Sequence, residues 1–71
     1  MIYISNKTTS IEVLCTSSSE WTVTVNNERK SFTDVKDMWC YIENFREKFD
    51  ESEWEEFLDD IYLTHMRLKE E

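Results

Sequence analysis

The sequence predicts an α+β fold of the order β-β-β-β-α-α. A small antiparallel sheet of three to four strands precedes two amphipathic helices, which pack on one face of the sheet. In the first part of the chain apolar residues alternate with polar ones, and in the second part they recur every three or four residues. We therefore expect a single domain over residues 1–71, with strands in 1–32, a first helix in 33–49 and a second helix in 50–69.

Three segments of the first half have the β-branched and aromatic composition of strands: "IYI" at 2–4, "IEVLC" at 11–15 and "WTVTV" at 21–25. The last two place their apolar side chains on one face at a period of two: Ile11, Val13 and Cys15, then Trp21, Val23 and Val25. Polar turn residues separate the segments. We expect "ERKSF" to return as a fourth strand after a hairpin.

The Asn-Asn pair at 26–27 marks this hairpin, because asparagine tolerates the positive φ of tight turns and the chain contains no glycine. A two-residue loop places Phe32 opposite Trp21, but it also places Lys30 opposite Val23. A four-residue loop places Phe32 opposite Val23 instead. The sequence leaves both registers open.

The first helix is predicted from an apolar stripe at helical spacing, formed by Val35, Met38, Trp39, Ile42, Phe45 and Phe49. We expect about four turns that end near Phe49. Ser31 or Thr33 can cap the start of this helix, and Asp34 and Asp37 lie in its first turn, where the helix dipole favours anions.

The second helix is predicted to begin at Asp50. Glu53 stands three residues after this N-cap, as in a capping box, and Phe49 and Trp54 occupy the two positions of a hydrophobic staple. Its apolar stripe consists of Trp54, Phe57, Leu58, Ile61, His65 and Leu68.

The chain has 16 acidic and 8 basic residues, and its formal net charge of -8 lies entirely in the second half. This charge opposes docking on nucleic acid or anionic lipid, which proteins bind by neutralising phosphates. No stretch has the pattern of a secretory signal or the length of a membrane span. We expect a cytoplasmic protein without membrane contact, and any partner held by charge should be basic.

The residue types that commonly carry catalysis are few. Cys15 and Cys40 are expected to be reduced thiols of the core. His65 projects onto the buried stripe of the second helix, where we expect a packed, hydrogen-bonded ring. A core this small hardly offers a cleft in which a thiol and an imidazole could meet. We predict a non-enzymatic protein with no catalytic residue and no cofactor.

The stretch "DESEWEEFLDD", residues 50–60, holds seven carboxylates and no basic residue. It lacks the spacing and the glycine of a calcium loop, so we predict no metal site. Five of its carboxylates project away from the core stripe: Glu53, Glu55, Glu56, Asp59 and Asp60. Their run has about one charge per 2 Å of helix axis, comparable with about one per 1.7 Å in duplex DNA. The run is either a solvated surface that serves solubility or an imitation of nucleic acid.

Leu63 projects from the middle of the acidic side of the second helix, with Met66 and Tyr62 beside it. An apolar residue ringed by carboxylates is typical of an interface anchor, because the charged rim steers the encounter and the anchor slows release. We therefore predict a partner-binding site formed by the five carboxylates together with Leu63 and Met66.

In size, in a composition rich in Asn, Lys, Glu, Ser and Ile, and in the runs "DESEWEEFLDD" and "KEE", the chain resembles the small acidic inhibitors of phages and other mobile elements. These are the anti-CRISPR and anti-restriction proteins. The resemblance implies a phage-encoded, anti-defence inhibitor in the host cytoplasm. Its partner would be the basic surface of a nucleic-acid-processing enzyme, without direct contact to nucleic acid.

The alternative is a small accessory or transcription-modulating protein that docks through an apolar helix edge or through its sheet. Such a protein would not imitate nucleic acid, so its binding would depend little on salt. In either case the chain could act as a monomer or as a homodimer.

Overall fold

The computed structural model describes residues 2–17 and 19–70 and contains a four-stranded antiparallel sheet followed by two helices. The elements are β1 (Ile2–Ser5), β2 (Ser10–Ser17), β3 (Glu20–Val25), β4 (Glu28–Phe32), α1 (Val35–Glu43), a 3₁₀ turn (Arg46–Lys48) and α2 (Glu51–Glu70). The strands lie in the order β1-β2-β3-β4, so each pairs with its neighbour in sequence. The predicted α+β fold is confirmed.

One face of the sheet is apolar and lies under the helices, as the alternation of residues predicts. Its most deeply buried members are Ile11, Val13, Trp21 and Val23. The other face remains open, and Tyr3 and Leu14 are exposed on it. The sheet is therefore two-sided in the manner usual for antiparallel sheets, with one face in the core and one in water.

The hairpin between β3 and β4 has the two-residue loop. Asn26 and Asn27 have φ angles of 49° and 74°, both in the left-handed region that a type I′ turn requires. Phe32 consequently lies opposite Trp21. The positive φ values fall on asparagine, which tolerates them better than other residues that carry a side chain.

The same register places Lys30 opposite Val23, on the side of the sheet that faces the helices. Lys30 is tolerated there because β4 is an edge strand, so its ammonium group can reach beyond the core. The Lys30 nitrogen lies 4.7 Å from the centre of the Tyr41 ring. This cation–π contact joins β4 to α1.

The N-cap of α1 is Asp34, and not Ser31 or Thr33 as predicted. Asp34 has extended backbone angles, and its carboxylate accepts the backbone N–H of Lys36 at 2.9 Å. Ser31 cannot serve as the cap because it is held in β4, where it pairs with Thr22.

α1 ends at Glu43, so the predicted continuation to Phe49 is wrong. The side-chain amide of Asn44 donates to the carbonyl oxygens of Tyr41 at 3.0 Å and Cys40 at 3.4 Å. These bonds satisfy carbonyl groups that a helix end otherwise leaves without a partner. The local side-chain contact thus competes with further helix, as is common for asparagine.

The last two residues of the predicted first stripe, Phe45 and Phe49, pack against the core although they lie outside α1. After α1 the chain forms the 3₁₀ turn, and Phe45 and Phe49 pack at its two ends, half-buried and buried respectively. The side-chain amide of Asn6 donates to the carbonyl oxygen of Lys48. This bond ties the turn to the loop between β1 and β2.

α2 begins one residue after the predicted N-cap, and the hydrophobic staple is present. The Phe49 and Trp54 rings stack with centroids 5.7 Å apart and planes 24° from parallel. The carbonyl of Asp50 accepts the Trp54 backbone N–H at 2.9 Å, and its carboxylate accepts the Ser52 hydroxyl at 2.7 Å. The stack fixes where the chain enters α2.

The two helices cover different parts of the sheet: α2 packs on β1, and α1 packs on β3 and β4. Their contribution to the core consists of Met38 and Ile42 from α1 and Trp54, Phe57 and Ile61 from α2, with Phe49 between them. Trp39, although part of the predicted stripe, is only half-buried at the margin.

Trp54→Ala is expected to lower the free energy of unfolding by about 3–5 kcal/mol, because this side chain is fully buried. Its indole N–H has no hydrogen-bond partner among residues 2–17 and 19–70. Trp54→Phe removes that unsatisfied donor and keeps an aromatic ring, so its cost should be much smaller. Urea unfolding measures both losses, and equal losses would contradict this account of the indole.

Asn27→Gly is expected to stabilise the protein by about 0.5 kcal/mol, because glycine adopts positive φ without steric cost. Asn26→Gly is the matched control: Asn26 also has positive φ, but its side chain accepts the Ser10 backbone N–H at 2.9 Å. The control should gain nothing. Urea midpoints compare the variants, and a loss in Asn27→Gly would show that the asparagine side chain contributes to the turn.

Candidate protein-binding surface

α2 carries the predicted carboxylates on its solvent side. All five are exposed and are here called the acidic face: Glu53, Glu55, Glu56, Asp59 and Asp60. Trp54, Phe57 and Ile61, on the opposite side of the helix, are at most 3 % exposed. One helix therefore supplies both part of the core and a charged surface.

The acidic face borders a groove on the side of α2 that is turned toward α1. Glu55 and Asp59 line this groove together with Trp39, Leu58 and Tyr62, and it encloses about 400 Å³. Two carboxylates thus stand beside two aromatic rings and one aliphatic side chain. Such a lining suits a basic side chain, since cations interact favourably with both carboxylates and aromatic faces.

A second groove, of about 260 Å³, lies on the other side of α2 and is bounded by β1. Glu53, Glu56 and Asp60 line it together with Phe57. The acidic face is therefore divided into two rows of carboxylates, one for each groove.

The carboxylates of the acidic face have no basic partner within the described part of the chain. The only ion pair there joins Arg46 to Glu43, with 4.0 Å between nitrogen and oxygen. Carboxylates at i and i+4 on one helix repel each other by a few tenths of a kcal/mol. The negative charge of the acidic face is consequently not neutralised by any basic side chain of the described residues.

An apolar patch follows the acidic face toward the end of α2. Tyr62, Leu63 and Met66 form this patch, with exposed fractions of 55 %, 59 % and 38 %. The sequence predicts Leu63 and Met66 as binding residues, and the structure places Tyr62 next to them. An exposed apolar group of this kind beside unpaired charges has the arrangement of an interface anchor with a charged rim.

A cleft between α1 and the end of α2 was not predicted. It encloses about 850 Å³ and is lined by Val35, Trp39, Cys40 and His65, with Lys36 and Lys69. Periodicity assigned these residues to separate helices but held no information on how the two helices are placed relative to each other. No sequence signal therefore indicated the cleft.

The cleft brings Cys40 and His65 to one place, contrary to the expectation that the core is too small for this. Cys40 is exposed, so it is not a core thiol. The His65 ring packs 6.1 Å from that of Trp21, but its Nδ1 is buried and has no partner among the described residues, so the expected hydrogen bond is missing there. No hydrogen bond joins Cys40 to His65 in that part of the chain.

Cys15 lies in β2 and is less exposed than Cys40. Its thiol is half-buried and donates to the carbonyl of Ser17, with 3.0 Å between sulfur and oxygen. Burial raises the pKa of the Cys15 thiol. The thiolate fraction at neutral pH is therefore smaller than in an ordinary cysteine.

Residues 2–17 and 19–70 also bear on metal ligation and on membrane insertion. No group of three or more His, Cys, Asp or Glu side chains is placed there to hold a metal ion. Within the same residues, no helix combines the length and the apolar character that crossing a membrane demands.

The double variant Glu56→Lys/Asp60→Lys is expected to fold normally and to be as stable as the parent or slightly more so. Both side chains are exposed, and reversal of their charge relieves repulsion within α2. Far-UV circular dichroism and thermal unfolding at low salt provide the measurement. A large loss of helix would show that these carboxylates take part in folding.

No family model, no curated protein and no solved structure matches this chain.

Proposed function

We propose that this protein is a non-enzymatic inhibitor that occupies the basic, nucleic-acid-binding surface of a host nuclease complex. The observation that carries the proposal is the acidic face, whose five exposed carboxylates have no basic partner in the described residues. In keeping with the resemblance in size and composition, the inhibitor would be phage-encoded and would act against defence in the host cytoplasm.

The spacing of charge on α2 supports imitation of nucleic acid. The helix rises about 1.5 Å per residue, so the carboxylates from Glu53 to Asp60 span about 10 Å of its axis. A groove evolved to neutralise phosphates at intervals of a few Å presents lysine and arginine at a matching density. The partner would thus gain from α2 some of the contacts that it makes to a nucleic-acid backbone.

The apolar patch would add binding affinity that the charges alone do not supply. Exposed ion pairs contribute little net affinity, because both groups lose hydration and side-chain freedom. Leu63 is the most exposed member of the patch and can enter an apolar depression on the partner. Charge would then set the rate of association, and Leu63 would set the rate of dissociation.

A second candidate function is an accessory or transcription-modulating protein that docks through an apolar helix edge. The cleft between α1 and α2 favours it, since Val35 and Trp39 line a depression large enough for side chains of a partner. This type of docking would leave the acidic face in solvent.

The dependence of binding on salt separates the two functions. If the acidic face is the contact, affinity for the partner should fall by about tenfold or more between about 50 and 200 mM salt, because the attraction between exposed charges is screened. The partner is first captured on the immobilised protein from host lysate and identified. Affinity is then measured by titration, together with displacement of labelled duplex from the partner. Salt-independent binding without displacement would favour the accessory function.

Leu63→Asp tests the anchor independently of the charge. The side chain is exposed, so stability should change by no more than about 0.5 kcal/mol. The added negative charge favours a basic partner, yet the complex should weaken by about 2 kcal/mol, mainly through faster dissociation. On- and off-rates from surface plasmon resonance give the answer. Equal or tighter binding would leave charge imitation without an apolar anchor.

A further inference from the structure

The two edges of the sheet differ in how they are protected. β4 carries the consecutive exposed charged residues Glu28, Arg29 and Lys30, and charges of this kind discourage another strand from pairing with an edge. β1, with the sequence IYIS, carries no charged residue. The edge of β1 is thus open to a further strand in a way that the edge of β4 is not.

The backbone of β1 offers hydrogen-bonding groups at this edge. Asn6 donates its N–H to the carbonyl of Thr9 in the loop that joins β1 to β2. Backbone groups alternate in direction along an antiparallel strand, so Ile4 also bonds toward β2, whereas Tyr3 and Ser5 direct their N–H and C=O groups outward. In the described residues no other strand lies beyond β1.

The groove between β1 and α2 lies beside this edge. A strand added to β1 would direct every second side chain toward α2, because side chains alternate between the faces of a sheet. Those side chains would enter the groove lined by Phe57 and by the carboxylates of Glu53, Glu56 and Asp60. Backbone pairing and side-chain charge would thus be satisfied by the same ligand.

We propose that β1 binds an extended, basic segment of a partner protein as a fifth strand, with lysine or arginine at alternate positions facing α2. The proposal rests on the proposed function, since it specifies which part of the basic partner is held. A second copy of this chain is disfavoured as the occupant. Pairing of β1 with β1 of the copy would bring the two α2 helices side by side and would oppose their carboxylates.

The probe is a synthetic peptide with both ends blocked, Thr-Arg-Val-Arg-Val-Arg-Thr, whose arginines share one face of a strand. Amide hydrogen exchange followed by NMR should show that the N–H groups of Tyr3 and Ser5 become protected when the peptide is added. The amides of Arg29 and Ser31, on the outer edge of β4, should stay unprotected. Lack of protection at Tyr3 and Ser5 with millimolar peptide would overturn the proposal.

Ser5→Pro removes one outward N–H donor, and proline is tolerated where the N–H of an edge strand faces solvent. Peptide affinity should fall by about tenfold. Ser31→Pro is the matched control, because it makes the same change on the outer edge of β4 and should leave the affinity unchanged. Circular dichroism checks that both variants fold. Equal effects of the two prolines would overturn the assignment to β1, and the exchange measurement stands even if one variant unfolds.

The charge requirement has its own matched pair. Glu56→Lys/Asp60→Lys should reduce peptide affinity by about tenfold, because two carboxylates of the groove become cations that repel the arginines. Asp37→Lys/Glu47→Lys makes the same change in net charge at exposed positions outside the groove and should have a much smaller effect. If both variants weaken binding equally, the peptide is held by net charge alone and the proposal fails.

The proposal and the proposed function fail in different ways. Peptide bound at β1, combined with a captured partner whose nucleic acid is not displaced, would overturn the proposed function and keep the strand site. Displacement of nucleic acid that is unaffected by Ser5→Pro, together with unprotected Tyr3 and Ser5 amides, would overturn the strand site and keep the proposed function.

Discussion

The stacking of Phe49 on Trp54 is the contact on which the arrangement of the helices depends. The Phe49 ring, directly after the 3₁₀ turn, packs on the buried Trp54 ring in the first turn of α2 and so joins the two segments. Once Trp54 points inward, the period of the helix directs the carboxylates on either side of it into water. The side of α2 that the acidic face occupies thus follows from which residues of the helix are buried, beginning with Trp54.

The strands and α2 could be predicted because each has one dominant signal. β3 alternates apolar and polar residues throughout, and β2 does so except at Leu14, which is exposed on the open face of the sheet. α2 has a staple at its start and a regular stripe after it. α1 could not be bounded in this way, since Phe45 and Phe49 continue its period after the helix has ended. The hydrogen bonds that the Asn44 side-chain amide donates to the last turn accompany the end of α1. Such bonds depend on local geometry, which the spacing of apolar residues does not reveal.

The candidate site was predictable only where it lies on a single helix. The exposure of the carboxylates and of Leu63 follows from a helical wheel of α2, because residues opposite the buried side of a helix face the solvent. The grooves and the cleft could be predicted only if the distances between helices and strands were known. Their lining includes Trp39, Cys40 and the edge of β1. Sequence periodicity describes one helix or strand at a time, so it does not predict a surface that is formed jointly by two of them.

The position of Trp39 makes it an intrinsic fluorescent probe of binding to the surface of the protein. Its indole N–H donates to a carboxylate oxygen of Glu43 at 3.2 Å, and its ring borders both the groove beside α2 and the cleft. Trp21 and Trp54 are at most 1 % exposed and are shielded from the solvent. Trp39 is therefore the tryptophan whose surroundings change when a molecule displaces water from either depression, and such binding is expected to shift the intrinsic fluorescence without any attached dye.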